Sequence, residues 1–309
     1  MQLTVVMYHH VRESKDPKYP HIPHITDREF RYQINHFRKH YTFIDFGFLK
    51  NCIINDELGS LPENCVLLTF DDAHKDHYET VFPILVDEDI QGIFFTPSKA
   101  VLDRTILDVN VIHHLLKYSI HNLLNDLFAF LASNYPGEFS RNSLLERIDT
   151  TTNRFDKPET NFFKRLLQTE LPDVVRSKAL DYLFSKYISV DKYAFAEELY
   201  MDVRELKEMR DSGMHIGGHG YEHCWLNKSS DDKQVAEIIK TVKYMAEFYD
   251  DTDNWVMCYP YGGYNEFTIK TLQEQKCLMA FTTIAGTSVL GSDSLFTLKR
   301  FDTNDFPVS

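Results

Sequence analysis

The chain has 309 residues, of which 43% are hydrophobic, enough to bury one large core or two modest ones. Its formal charge of -13 argues against a nucleic-acid partner, because a phosphate backbone is bound by clustered Lys and Arg that displace counterions. Five widely spaced cysteines with no C-x-x-C pair suggest neither a disulfide framework nor a zinc finger, and no stretch offers the ~18 apolar residues of a membrane span. The opening "MQLTVVMYHHV" lacks the basic, apolar and cleavage regions of a signal peptide, so the sequence as it stands predicts a reduced, cytoplasmic protein.

In chain order, "LTVVMY" (Leu3 to Tyr8) reads as a buried strand ending on His9-His10. A polar loop through Pro17, Pro20 and Pro23 follows. Thr26 and Glu29 then form a capping box for a helix whose apolar stripe is Phe30, Ile34 and Phe37. "YTFIDF" is a short strand, "NCVLLTF" a clear one, "YETVFPILVDED" a helix and "GIFFTP" another buried strand. Residues 102–200 show helical periodicity and no strand runs, and read as an all-helical insertion. Asp202 and Glu205 cap a helix that Gly213 stops; "MHIGGH", "WVMCYP" and "LMAFTT" are strands separated by helices.

This alternation predicts parallel strands with helices outside, as an open sheet or a β/α barrel. The clusters "YHH", "FDD", "GGHGYEH" and "YPYGG" all follow the C-terminal end of a predicted strand, where barrels gather their functional loops. The barrel is the favoured reading, with residues 1–101 and 201–309 forming it and 102–200 serving as a lid or an oligomerisation element.

His219 and His223 are four apart, so on a helical turn or tight loop both imidazoles can face one cation. One carboxylate of the pair Asp71-Asp72 would complete a two-His, one-Asp set with room for water and substrate. The other could take a proton from water whose pKa a divalent ion lowers to about 7.

Together, "LLTFDDAHKDHYETVFPIL", "DSGMHIGGHGYEH" and "CYPYGGYN" resemble the polysaccharide deacetylase family, the NodB-homology carbohydrate esterases. The resemblance implies a distorted (β/α) barrel of the NodB-homology type carrying the large helical insertion. It assigns Asp71 as the base and Asp72, His219 and His223 as metal ligands, with Zn2+ the expected ion and Co2+, Ni2+ or Mn2+ alternatives. "MYHHV" is similar to the permuted branch of the family, which makes His9 the general acid. "YPYG" matches the substrate-groove motif, giving Pro260 and Tyr261 a place at the oxyanion, and "LKRFDTND" supplies Arg300 to orient the base. The chain departs from the family in having Ala73 for Gly, Gly220 for Ser or Thr, and Cys258 where many members carry arginine.

His74, Asp76 and His77 are expected at the rim, His21 and His24 in the cleft wall, and His113-His114 between helices of the insertion. The implied reaction is hydrolysis of the N-acetyl group of an amino sugar. For a protein without a leader, a nucleotide-linked or lipid-linked saccharide bound for a surface glycan is the expected substrate, and a homo-oligomer is possible. The competing readings are a metal-dependent amidase on a non-sugar C-N bond and a non-catalytic saccharide-binding homologue.

Overall fold

The computed structural model describes residues 1–13, 19, 21–148, 156–188 and 191–309; Pro17 and Pro20 of the proline-bearing loop lie outside them. Eleven strands are present among these residues: β1 (Gln2–Tyr8), β2 (Val11–Arg12), β3 (Ile25–Thr26), β4 (Thr42–Phe43), β5 (Asn64–Asp71), β6 (Gly92–Thr96), β7 (His215–Gly218), β8 (Trp255–Cys258), β9 (Cys277–Phe281), β10 (Ser288–Val289) and β11 (Phe301–Asp302). The main sheet runs β10-β1-β5-β6-β7-β8-β9, parallel from β1 to β9.

The segment around Leu298 closes this sheet into a distorted barrel. Its backbone bonds to β9 on one side, where Leu298 N–H donates to the Ala280 carbonyl (3.1 Å) and Thr282 N–H to the Leu298 carbonyl (2.8 Å). Three residues on, β11 pairs with Val6 and Met7 of β1. The ring is therefore completed by a short, irregular connection rather than a full strand.

Strand residues alternate between two buried layers, as the period of two requires. Val6, Tyr8, Val66, Leu68, Phe70 and Phe94 belong to one cluster with helix residues Phe30, Ile34, Phe37, Leu206, Met209 and Ile238. Leu3, Val5, Cys65, Leu67, Phe95, Val256, Cys258, Phe281 and Leu298 form the other. Asp71 and Arg300 fall on the parity of the second cluster, beyond the apolar run on their own segments.

The predicted helix stripe at Phe30, Ile34 and Phe37 is buried, and both predicted capping boxes form. The reading of "YTFIDF" differs. Only Thr42–Phe43 is strand, and Asp45 caps a helix, Phe46–Ile54, by accepting from Phe48 N–H at 2.6 Å. The helix predicted from Tyr78 begins as a π-turn, His77–Val81, in which Phe82 N–H reaches the His77 carbonyl. Pro83, lacking an N–H, sits in the first turn of the α-helix that follows.

The described chain divides into two compact units: residues 1–17, 23–105 and 196–309, which contain the barrel, and residues 18–22 and 106–195. The second is helical, with elements such as Asp108–Leu115, Ile120–Asn134, Pro158–Arg165 and Asp173–Tyr187 around Leu123, Leu127, Phe163 and Leu183. His114 packs there edge-on against Tyr19 and Phe195, and His21 packs against His114. No helix among the described residues is long and apolar enough to cross a membrane.

Candidate active site

Because the strands run parallel, the residues following β1, β5, β7 and β8 emerge at one end of the barrel. Asp71 is the last residue of β5. Asp72 turns away with φ 79°, its N–H bonded to the Phe95 carbonyl at 3.0 Å. This left-handed step separates two adjacent carboxylates into different tasks.

Asp71 is gripped by Arg300, whose Nη1 donates to Oδ1 at 2.9 Å and Nη2 to Oδ2 at 2.7 Å. Arg300 is only 1% exposed and is itself fixed, donating from Nε to the Thr282 carbonyl, from Nη1 to Thr69 Oγ1, and from Nη2 to Cys258 Sγ at 2.7 Å. Burial pushes the Asp71 carboxyl up, but Arg300, His219 and His9 together outweigh it, and the pKa falls to about 2.

Asp72 faces the histidines. Its Oδ1 lies 3.5 Å from His219 Nε2 and 3.1 Å from His223 Nε2, and all three side chains are buried. His219 Nδ1 is 2.8 Å from the Cys258 carbonyl, to which it donates, and Nε2 is left facing Asp72. That nitrogen and Asp72 Oδ1 point at each other, and Oδ1 has no hydrogen-bond partner. A cation bound there would take the place that a proton on Nε2 otherwise fills. The three donor atoms lie within 4.8 Å of one another, and a carboxylate with two imidazoles is a donor set suited to zinc.

A second trio, Asp71, His219 and Cys258, is equally close but does not fit a cation. Asp71 and the sulfur already accept from Arg300, and burial raises the Cys258 thiol, keeping it protonated.

His9 follows the end of β1; its imidazole is near enough to Asp71 to lower that carboxyl, and its carbonyl accepts from His77 Nε2 at 2.6 Å. Pro260 is buried. Tyr261 takes φ 57° in a tight turn, edge-on to His223 (4.6 Å) and stacked on Trp225 (4.9 Å, 6°). Gly262 follows at φ 69°, where a Cβ would lie 2.3 Å from Thr283 Oγ1, so only glycine fits. The structure therefore brings together Asp71, Asp72, His219, His223 and Arg300, with Tyr261 against His223.

His74 and His77 are not rim residues. They are 3% and 0% exposed, and burial drives both to pKa values of about 4. The His74 ring stacks on His10 at 3.8 Å, and its Nε2 lies 3.5 Å from Asp72 Oδ2. His10 is held by Asp76 (2.9 Å), which also accepts from Arg12 Nε (3.1 Å). The rim expectation overlooked that the chain turns inward at Asp72 and Ala73, both at positive φ. His21 lies against His114 and Tyr19 in the helical unit.

Residues 172–279 match the family described as polysaccharide deacetylase, the one the motifs resemble. That segment holds His219, His223 and Tyr261; Asp71, Asp72 and Arg300 lie outside it, and the fold joins them. Among solved structures, the deacetylase PplD from Streptococcus pyogenes, determined in complex with acetate, superposes with a TM-score of 0.59 at 16% identity, covering 98% of this chain and 92% of its own. IcaB from Ammonifex degensii gives 0.55 at 18% identity over 97% and 90% of the two chains. A de-N-acetylase from Aggregatibacter actinomycetemcomitans gives 0.55 at 15% over 98% and 96%. No curated protein matches in sequence. The chain has the fold of these deacetylases.

Proposed function

We propose that the protein is a metal-dependent deacetylase that hydrolyses the N-acetyl group of an amino sugar in a saccharide or sugar conjugate, in cell-surface polysaccharide biosynthesis. One observation carries this reading: Asp72 Oδ1 meets the Nε2 atoms of His219 and His223 beside a second, ionised carboxylate, Asp71.

Asp72, His219 and His223 would hold the ion, Zn2+ first and Co2+, Ni2+ or Mn2+ otherwise. Such an ion supplies Lewis-acid polarisation of an acyl oxygen and lowers the pKa of water to about 7. Asp71 accepts the proton of the attacking water. Its two oxygens each bond to Arg300 yet retain a lone pair, since a carboxylate has about four acceptor sites. At a pKa of about 2 it stays ionised through the working range and carries the proton only in passing. The backbone amide of Tyr261 stabilises the oxyanion, a contribution whose loss typically costs about 3–4 kcal/mol. His9 gives a proton to the departing amine. Acetate, with which PplD was determined in complex, is the product such chemistry would release.

The test is mass spectrometry of N-acetylated nucleotide sugars, lipid-linked sugars and free oligosaccharides after incubation with the protein. Loss of an acetyl group, stopped by a chelator and restored by Zn2+, is expected. Turnover of formamides or ureides in its place would point to an amidase, and absence of chelator-sensitive acetate release from every substrate would defeat the proposal.

A further inference from the structure

The two histidines are separated by three residues, Gly220, Tyr221 and Glu222, and every residue of this bridge is tied down. Ser98 N–H donates to the Gly220 carbonyl at 3.1 Å and Lys99 N–H to the Tyr221 carbonyl at 3.0 Å. On the other edge, the N–H groups of Tyr221 and Glu222 both donate to one oxygen of Glu237, each at 2.9 Å. The first two contacts are made by backbone and are insensitive to sequence. Ser98 Oγ also reaches the Gly220 carbonyl, and Lys99 and Asp103 hold the side chains of Glu222 and Tyr221, but Glu237 is the side chain that accepts from the amides of the bridge itself.

Glu237 sits mid-helix in Asp231–Met245, is 3% exposed, and makes no contact with the donor atoms of the site. A buried carboxylate normally calls for a compensating partner, and here the partners are two consecutive amides of the ligand-bearing loop. The loop needs such a grip. Gly220 and His223 both have positive φ, 72° and 57°, so its shape is not one the backbone adopts unaided. Gly220 brings no side chain to brace the bridge, and a Cβ there would approach Glu237 Oε2 to 3.3 Å.

We propose that Glu237 is a positioning residue for the metal: by accepting from Tyr221 and Glu222 it fixes the loop that aims both imidazoles at Asp72. This builds on the metal-binding reading above. It also explains a buried acid that the proposed hydrolysis leaves unused.

The experiment measures Zn2+ affinity of the full chain by competition with a chromophoric chelator, alongside thermal unfolding. Glu237→Ala is expected to weaken Zn2+ binding by roughly 10–100-fold, the usual effect of removing an outer support, with a changed visible spectrum of the Co2+ form. Glu237→Gln, which keeps one acceptor oxygen, is expected to lose less. Gln234→Ala is the control: on the same helix and equally buried, it bonds to Thr268 and Ser229 instead, and should lower the melting temperature without changing the affinity. Affinity within twofold of the parent in Glu237→Ala overturns the proposal, as does an affinity loss that Gln234→Ala reproduces. Should Glu237→Ala fail to fold, Glu237→Met, which fills the same space without an acceptor, takes its place, and an unchanged affinity there does the same. A parent chain that takes up no metal would instead remove the metal-binding reading, and this proposal with it.

Discussion

Asp71 and Arg300 are separated by 229 residues and share a bidentate contact with almost no solvent. Breaking a buried pair by removing one partner usually costs about 3–5 kcal/mol, because the other charge is stranded. Arg300→Met should therefore lower the unfolding free energy by about that amount. The double variant Arg300→Met with Asp71→Asn should recover part of the loss, as a denaturant-based double-mutant cycle would show. Asp71→Asn alone should reduce turnover by at least ~10²-fold while sparing Zn2+ uptake, and full activity would remove the proposed base. A titration is expected far from the site, at His215, which packs against Phe46 and Tyr249. Burial lowers its pKa to about 3. The folded state then binds fewer protons than the unfolded one between that value and the ordinary imidazole value of about 6.5. Stability conferred by the neutral ring is complete above the upper value and falls as pH drops through the window. His215→Gln should flatten the stability profile there relative to the parent, by up to about 1.4 kcal/mol per pH unit.

At the scale of elements, legibility tracked how local the signal was. His219 and His223 lie within five residues and Asp71-Asp72 are neighbours, so spacing raised them as candidates, and the family resemblance divided their roles. Glu237 has no such signature. It occupies one more charged position in the polar helical run "SDDKQVAEIIKTVKYMAEFY", and its inward direction is set by the loop it meets. His74 and His77 were misplaced because their burial follows from backbone dihedrals at Asp72 and Ala73 that residue types do not announce. The helix Phe46–Ile54 was missed because nine residues carry too few turns to show a period, although Asp45 marked its start. Close packing of strand against helix gives a test of its own. A Cβ on Gly218 would lie 2.4 Å from Thr241 Cγ2 and 2.8 Å from Trp255 Cζ3. Gly218→Ala should thus destabilise the fold by about 1–3 kcal/mol, measured by urea unfolding, and disturb His219 next to it.

For the whole molecule, buried parallel strands read as continuous apolar runs, so alternation with helices announced a parallel sheet, while the choice of barrel over open sheet leaned on the polar clusters at the strand ends. Its closure was less visible: the connection from Leu295 to Asp302 is mostly irregular backbone, bonded to β9 through Leu298 and to β1 through Phe301 and Asp302. Leu298→Pro would delete the N–H that reaches the Ala280 carbonyl. It should open the seam, withdraw Arg300 from Asp71 and abolish activity together with cooperative unfolding, as calorimetry would report.

That seam also sets a timetable for synthesis. Translation at about 5–20 residues per second leaves roughly 10–50 s between the appearance of Asp71 and that of its guanidinium partner. A nascent polypeptide therefore exposes an unneutralised carboxylate to water throughout that delay, and the Asp71–Arg300 pair stays incomplete until the final stretch of the barrel has emerged from the ribosome.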